Sequence, residues 1–250
     1  MKKILILVAV VAYLQFLLTQ LPANLVLDMT RNLLVDIEIA EPRGTFWEGS
    51  SPQVRYRNVD LGRLEWDARP FHLLLGEWNN RIRLEGNFPG YGNLGLMLGN
   101  RMTLGDAFLD LELSDLARFS PQLGLLNGKL SANIVHLAMQ EGVVSTVEGV
   151  VRLENLVIPT GENLGNFFGE LTTDSEATRR LEFNSEGQEG IDATGVLTLT
   201  AEDKVDLDLL VKNPDALGSA SGLFTQVARQ EPQGYRFKWS GSLAFILRFL

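Results

Sequence analysis

Apolar and polar residues alternate with a period of two along most of this chain, and this pattern constrains the fold more than any other feature. Val35, Ile37 and Ile39 alternate with acidic residues. The same phase recurs downstream in three further runs: Ile82 and Leu84; Leu109, Leu111 and Leu113; and Val205, Leu207 and Leu209. A period of two is typical of strands with one buried and one solvated face. The chain is therefore predicted to be mainly β, with a mostly antiparallel sheet.

Only two segments carry a helical spacing instead. Ser114 is predicted to cap a short helix that Pro121 limits, and Asn213-Pro214 is predicted to open a second helix. The apolar residues at helical spacing in the second segment are Leu217, Phe224 and Val227. One or two short helices are therefore expected beside the sheet.

Glycines are predicted to lead several strands in a loose repeat, whose irregular spacing excludes a solenoid of fixed period. They are Gly128, Gly149, Gly195 and Gly241. The polar stretch 155–163 is the best candidate for a domain boundary, but no linker or charge run accompanies it. Residues 25–250 are therefore expected to form one domain built on a long, curved sheet.

The first residues are typical of an export signal, because Lys2 and Lys3 precede an apolar run that only Gln15 interrupts. The nearest candidate cleavage site places the bulky Leu21 three residues before the cut, which favours an uncleaved anchor. Residues 1–24 are predicted to be a cytoplasmic N-terminus and a transmembrane helix, with residues 25–250 in the periplasm. The predicted anchor residues are Ile4, Leu7, Val11, Leu14 and Leu18. The alternative is a buried helix of a soluble domain.

The charge balance argues against nucleic acid as a partner. The formal net charge is −9 and the sequence pI is near 4.8, and no basic stripe reverses this balance locally. The absence of cysteine excludes disulfides, thiolate metal sites and a cysteine nucleophile. We predict no nucleic-acid interaction.

No pattern of catalytic or cofactor-binding residues emerges. The run Gly90-Tyr91-Gly92-Asn93-Leu94-Gly95 has dinucleotide-like spacing, but no helical stripe follows it, so a turn leading into a glycine-broken strand is predicted. His72 and His136 lack partners at metal-ligand spacing. We therefore predict no enzyme activity, no catalytic residue, no metal and no cofactor.

Aromatic residues and glycines cluster early in the predicted domain, in Gly44-Thr45-Phe46-Trp47-Glu48-Gly49 and around Trp66 and Pro70. One interpretation is structural: the rings pack over bare glycine backbone and fix the sheet. The other is functional: the rings form a docking patch, because aromatic residues are enriched at interfaces. The sequence leaves both open.

These motifs carry a family resemblance. They are the predicted anchor that ends in Leu21-Pro22-Ala23, the segment with Gly44, Trp47 and Gly49, Trp66 four residues before Pro70, and Trp239-Ser240-Gly241-Ser242-Leu243. The chain resembles protein N of bacterial type II secretion systems. The resemblance implies a single-pass inner-membrane protein of a Gram-negative envelope, with a periplasmic β domain. It implies an accessory role in the export of folded proteins across the outer membrane, with other subunits as partners and no catalytic residues.

A weaker resemblance is to AsmA-like envelope proteins, which implies lipid as an alternative partner. The two interpretations differ in whether the apolar face of the sheet is a filled core or an open groove, and a binary pattern does not distinguish these. Leu96 and Leu98 are candidates for the lining of such a groove. For protein contacts, the predicted elements are the edge strands: the first strand after the anchor and the last, around 235–243.

Overall fold

The structure is a computed structural model of the chain. Contacts within the chain divide it into two compact units, Met1–Leu98 and Gly99–Leu250. The structure describes residues 20–30, 36–57, 59–69, 77–97, 101–119, 123–140, 143–174, 178–187, 190–200 and 204–242.

The first unit consists of a short helix and an antiparallel sheet. The helix is α1 (Ala23–Thr30). The strands are β1 (Ile37–Ala40), β2 (Arg43–Gly44), β3 (Glu48–Tyr56), β4 (Val59–Arg69), β5 (Glu77–Glu85) and β6 (Gly90–Met97). Their order in the sheet is β1-β3-β4-β5-β6, and β2 pairs with β3. The predicted strands at Ile37 and Ile82 are thereby confirmed.

The register of this sheet aligns the apolar residues in rows. Leu64 of β4 pairs with Leu84 of β5, and Trp66 pairs with Ile82, which in turn pairs with Gly92 of β6. Because paired residues project from the same side of a sheet, these rows form one apolar face. The alternation in the sequence therefore predicts correctly which residues of these strands lie on the apolar face.

The second unit is a longer antiparallel sheet. Its strands are β7 (Arg101–Glu112), β8 (Asn127–Gln140), β9 (Val143–Val157), β10 (Asn163–Thr173), β11 (Arg179–Glu186), β12 (Ala193–Leu199), β13 (Lys204–Val211), β14 (Arg229–Glu231) and β15 (Gly234–Ser242). Their order is β7-β8-β9-β10-β11-β12-β13-β15-β14. Consecutive strands are neighbours except at the end, where β15 lies between β13 and β14.

One face of the second sheet is apolar, and the chain packs a helical segment against it. The buried residues Leu164, Ile191, Ala193 and Val211 form its core cluster. Leu217 and Phe224, from the segment that follows β13, pack on this cluster. This segment consists of a 3-10 helix, Pro214–Ala220, and of α2 (Ser221–Val227).

The helix predictions are confirmed in place and corrected in detail. Pro214 opens the second helical segment as expected, but Val227 is 68% exposed and does not join the apolar face. The first predicted helix is a 3-10 helix, Leu113–Arg118, that follows Glu112 and has no side-chain cap. The prediction that Ser114 caps it is therefore wrong.

Two predictions for glycines need correction. Gly149 lies inside β9, Gly195 is the third residue of β12 and Gly241 lies near the end of β15, so none of the three leads a strand. A Cβ atom at Gly149 would lie 2.5 Å from the Asn133 carbonyl oxygen, so crowding across the ladder explains this glycine. The dinucleotide-like run lies within β6, with no turn and no helix at its glycines.

The described residues include no helix long and apolar enough to cross a membrane. The predicted anchor falls almost wholly outside the described residues. Its named positions there are Ile4, Leu7, Val11, Leu14 and Leu18.

Candidate docking surfaces

Trp66 belongs to the predicted aromatic motif and is almost fully buried, with 9% of its surface exposed. Its indole Nε1 donates a hydrogen bond of 3.1 Å to the Thr45 carbonyl oxygen. A Cβ atom at Gly49 would clash with this indole ring and with the Arg43 carbonyl oxygen. Gly49 is therefore the residue that lets Trp66 lie flat against β3.

The loop from β2 to β3 is fixed by its own hydrogen bonds. The Thr45 N–H donates to the Glu48 carbonyl oxygen at 2.8 Å, and the Glu48 N–H donates to the Thr45 hydroxyl at 3.1 Å. Gly44 has a φ angle of 92°, which a residue with a side chain rarely adopts. Sequence and backbone geometry agree that this position requires glycine.

The same loop binds the chain that leads into α1. The Phe46 N–H donates to the Leu21 carbonyl oxygen at 2.8 Å, and Pro22 forms an isolated antiparallel bridge with Thr45. Phe46 stacks on Trp78 of β5 with ring centroids 5.2 Å apart. The cluster therefore attaches the segment after the predicted anchor to the first sheet.

The second predicted motif lies at the other end of the chain. Trp239 and Gly241 are both on β15, and a Cβ atom at Gly241 would clash with the Trp239 ring. Trp239 pairs with Leu207 on the apolar face of the second sheet. Pro70, the remaining motif residue, lies outside the described residues.

The outer edge of β15 is only partly covered. The pairing between β14 and β15 ends at Arg229 and Arg236, whereas β15 continues to Ser242. β14 and β15 are joined by a two-residue loop, so the flanking residues Glu231 and Gly234 form a hydrogen-bonded pair. The backbone groups of every second residue of β15, counted from Gly234, therefore face the same way, towards β14 and the outer edge. The backbone groups of Lys238 and Ser240 therefore point away from β13, and no described strand pairs with them.

Charged side chains hold β15 to β13 on the opposite, polar face. Arg236 donates from Nε and Nη2 to the two carboxylate oxygens of Asp208, at 2.7 and 3.1 Å. Lys238 Nζ lies 3.2 Å from the same carboxylate. The hydrogen bonds from Arg236 lower the pKa of Asp208. This bidentate pair gives the edge strand a fixed position from which it can present its free backbone groups.

Each unit has an apolar groove on its sheet. In the second unit the groove has a volume of about 400 Å³, and Leu217 and Phe224 of the helical segment contribute to its wall. In the first unit the groove has a volume of about 360 Å³ and includes Leu27 of α1 and Leu96 of β6. Leu96 thus lies where the groove interpretation expected it, whereas Leu98 is outside the described residues.

Glu162 holds the helical segment of the second unit in place. Its Oε1 accepts hydrogen bonds from the Ser219 N–H at 2.9 Å and the Ser219 hydroxyl at 3.2 Å. Gly218, with a φ angle of 56°, leaves the room that this carboxylate occupies. Hydrogen bonding with the Thr160 side chain and then with the Ser219 N–H lowers the pKa of Glu162 to about 2.

This contact predicts a pH dependence. Because the folded-state pKa lies below the ordinary value of 4.5, the contact contributes stability above about pH 4.5. That contribution is lost as the pH falls from 4.5 towards 2. Hydrogen exchange of residues 214–220 in the full chain, corrected for intrinsic rates, is expected to show protection that falls across this window. Glu162→Gln should remove the pH dependence of this protection. Asp215→Asn, which removes a carboxylate within the 3-10 helix itself, is the matched control and should retain it.

A family model described as "Type II secretion system (T2SS), protein N" matches residues 36–237, which is most of the chain. The chain belongs to this family. The resemblance read from the glycine and tryptophan motifs is thereby confirmed.

One relative of the protein N family can be compared directly. "Type II secretion system protein N" of Vibrio cholerae serotype O1 (strain ATCC 39315 / El Tor Inaba N16961) is 40% identical to this chain over 47 residues. The match spans 19% of each of the two chains. No solved structure matches the chain.

Within the described part of this protein N family member, no group of three or more His, Asp or Glu side chains is arranged to hold a metal ion. His136 is an exposed residue of β8 that pairs with Gly105 of β7 and with Glu148 of β9. His72 lies outside the described residues.

Sequence reasoning missed three features of these surfaces: the contact of Glu162 with Ser219, the pairing of Asp208 with Arg236, and Asn80 on the apolar face of the first sheet. The first two join residues far apart in the chain, so no local pattern marks them. Asn80 did leave a signal, because it occupies the apolar phase of β5 between Trp78 and Ile82. A polar residue in that phase is the exception that warrants attention.

Proposed function

We propose that this protein is an accessory inner-membrane component of the type II secretion system. In this role it supports the export of folded proteins from the periplasm across the outer membrane. It acts through contacts with other subunits and not through catalysis. The N-terminal segment, with Ile4, Leu7, Val11, Leu14 and Leu18, is proposed to be a single membrane-spanning anchor. Residues 25–250 are proposed to lie in the periplasm, because long domains that follow such an anchor translocate largely regardless of their charge.

The observation that carries the docking role is the part of the β15 edge that no described strand covers. Unpaired backbone groups at a sheet edge bind an extended segment of a partner by adding a strand, and proteins usually cover or shorten such edges. Here β14 covers only the first residues of β15. The groups of Lys238 and Ser240 therefore offer a template for a partner strand.

The alternative edge of the chain, β1, is less suited to this role. It comprises only Ile37–Ala40, and short edge strands are a common protection against pairing. Of the two edges predicted from sequence, we therefore favour β15.

Replacing Ser240 with proline tests this role. Proline removes the outward N–H of Ser240 but takes no hydrogen bond from the ladder between β13 and β15, so the domain should stay folded. We expect the full-length variant, expressed in cells, to capture markedly less of the other secretion subunits. Secretion of a folded substrate into the medium should fall with it. The measurements are crosslinked affinity purification with mass spectrometry and a secretion assay.

Ser240→Ala is the matched control. It removes the hydroxyl that hydrogen-bonds with Asp206 and lowers the pKa of that residue, but it keeps the backbone N–H. This variant should capture subunits and support secretion as the wild type does. Capture and secretion at wild-type levels in a folded Ser240→Pro variant would overturn docking at β15.

A further inference from the structure

The groove of the first unit is lined almost entirely by carbon. Its wall is built from α1, from β1 and from β3 to β6. Its apolar lining residues include Leu27, Ile39, Leu64, Ile82, Leu84 and Leu94. Four lining side chains carry a polar atom: Tyr56, Trp66, Trp78 and Asn80.

In Trp78 and Asn80 this polar atom is buried and lacks a hydrogen-bond partner among the described residues. Asn80 is 3% exposed, and its Oδ1 has no partner among the described residues. The Nε1 of Trp78 is likewise buried and unpartnered within the described part of the chain. The two residues are two positions apart on β5, so their side chains project from the same face of the sheet.

The two unpartnered atoms, Trp78 Nε1 and Asn80 Oδ1, destabilise the folded protein. A buried polar atom without a partner loses its hydrogen bonds to water and gains none in return. Leucine at position 80 would fill similar space at no such cost. A buried acceptor beside a buried donor in an apolar groove is therefore best explained by a ligand that supplies both partners.

The composition of the groove determines the class of that ligand. An extended peptide carries one donor and one acceptor at every residue, and most of these would be unsatisfied against carbon. An acyl chain has no polar groups along its length and needs partners only at its head. One donor and one acceptor match a single head group that both accepts and donates.

We propose that this groove binds a fatty-acyl chain whose head group accepts a hydrogen bond from Trp78 Nε1–H and donates one to Asn80 Oδ1. An N-acyl amide and a protonated fatty acid share this chemistry. Position supports a lipid source: α1, with Ala23 and Leu27 in the wall, follows the anchor segment closely. That last step rests on the proposed membrane anchor.

Photolabelling in membrane vesicles that contain the full-length protein tests the proposal. The probes are palmitamide and palmitic acid, each with a photoreactive diazirine in the chain, and a matching alkane without a head group. Labelled peptides are mapped by mass spectrometry. We expect labelling on residues of α1 and of β3 to β6, with the stronger of the two headed probes identifying the source.

Asn80→Leu and Trp78→Phe each remove one polar partner and keep the apolar volume. Loss of a buried hydrogen bond of this kind corresponds to about a fivefold or larger drop in labelling. Asn80→Leu should melt at or above the wild-type temperature, so that the loss is not due to unfolding. Asn79→Leu, on the opposite face of the same strand, should label as the wild type does.

The proposal is overturned if both groove variants label as strongly as the wild type, if the labelled sites lie elsewhere, or if the alkane labels as well as the headed probes. A negative labelling result would not contradict subunit capture at β15, because that capture is tested with the Ser240 variants. The two proposals are therefore tested separately.

Discussion

Replacing Trp66 with alanine is expected to lower the free energy of unfolding of the full chain by about 3–5 kcal/mol, the usual cost of removing a buried tryptophan. Trp66 is 9% exposed, its indole lies over Gly49, and its Nε1 donates to Thr45. The substitution leaves a cavity and also leaves the Thr45 carbonyl oxygen without this donor. Urea denaturation followed by circular dichroism measures the change, and hydrogen exchange locates it in the first sheet.

Trp47→Ala is the matched control for this prediction. Trp47 is only half-buried and contacts Phe46 edge-on, with ring centroids 5.1 Å apart. It should cost clearly less stability than Trp66→Ala. A loss below about 1 kcal/mol for Trp66→Ala, well under the usual cost of removing a buried aromatic side chain, would show that the Trp66 ring does not hold the first sheet together. The docking interpretation of its ring would then regain support.

Replacing Val211 with aspartate is expected to unfold the second unit, at a cost of about 4 kcal/mol or more. Val211 is 0% exposed and lies in the core cluster with Leu164, Ile191 and Ala193. A carboxylate there would be buried among apolar side chains without a cationic partner in the cluster. Hydrogen exchange of the full chain should lose protection from β10 to β13.

Val150→Asp gives the matched comparison. Val150 lies on β9 of the same unit, is 37% exposed, and pairs with Glu170 on the polar face. Its carboxylate would remain solvated, so the expected change is about 0.5 kcal/mol. Equal effects of the two substitutions would contradict the assignment of Val211 to the core.

The sequence was sufficient to predict the class of fold and the apolar face of each strand. A period of two places Leu207 and Leu209 on one face of the sheet and Asp208 on the other, and the structure shows this arrangement. The two compact units, Met1–Leu98 and Gly99–Leu250, follow from contacts between residues and not from a pattern in the sequence. Glycines were also misread, because Gly149 is required by the Asn133 carbonyl of a neighbouring strand and not by a turn.

The candidate sites divide in the same way. Gly49 and Trp66 were found because tryptophan and glycine are rare enough to form a visible local motif. The free edge of β15 was expected from its place near the end of the chain, but the extent of its cover by β14 needed the register. Asn80 was visible in the sequence as a polar residue in the apolar phase of β5, but only burial and hydrogen-bond geometry show that its Oδ1 and the Trp78 Nε1 lack partners among the described residues.

Site-specific photocrosslinking from β15 tests the proposed docking most directly. A photoreactive amino acid replaces Lys238, which is exposed on the uncovered part of the edge, in the full-length protein in cells. The comparison position is Glu148, an exposed residue in the middle of the sheet on β9. The proposal predicts crosslinks to other type II secretion subunits from position 238 and few from position 148. Equal crosslinking from both positions, or none from position 238 while secretion proceeds, would contradict it.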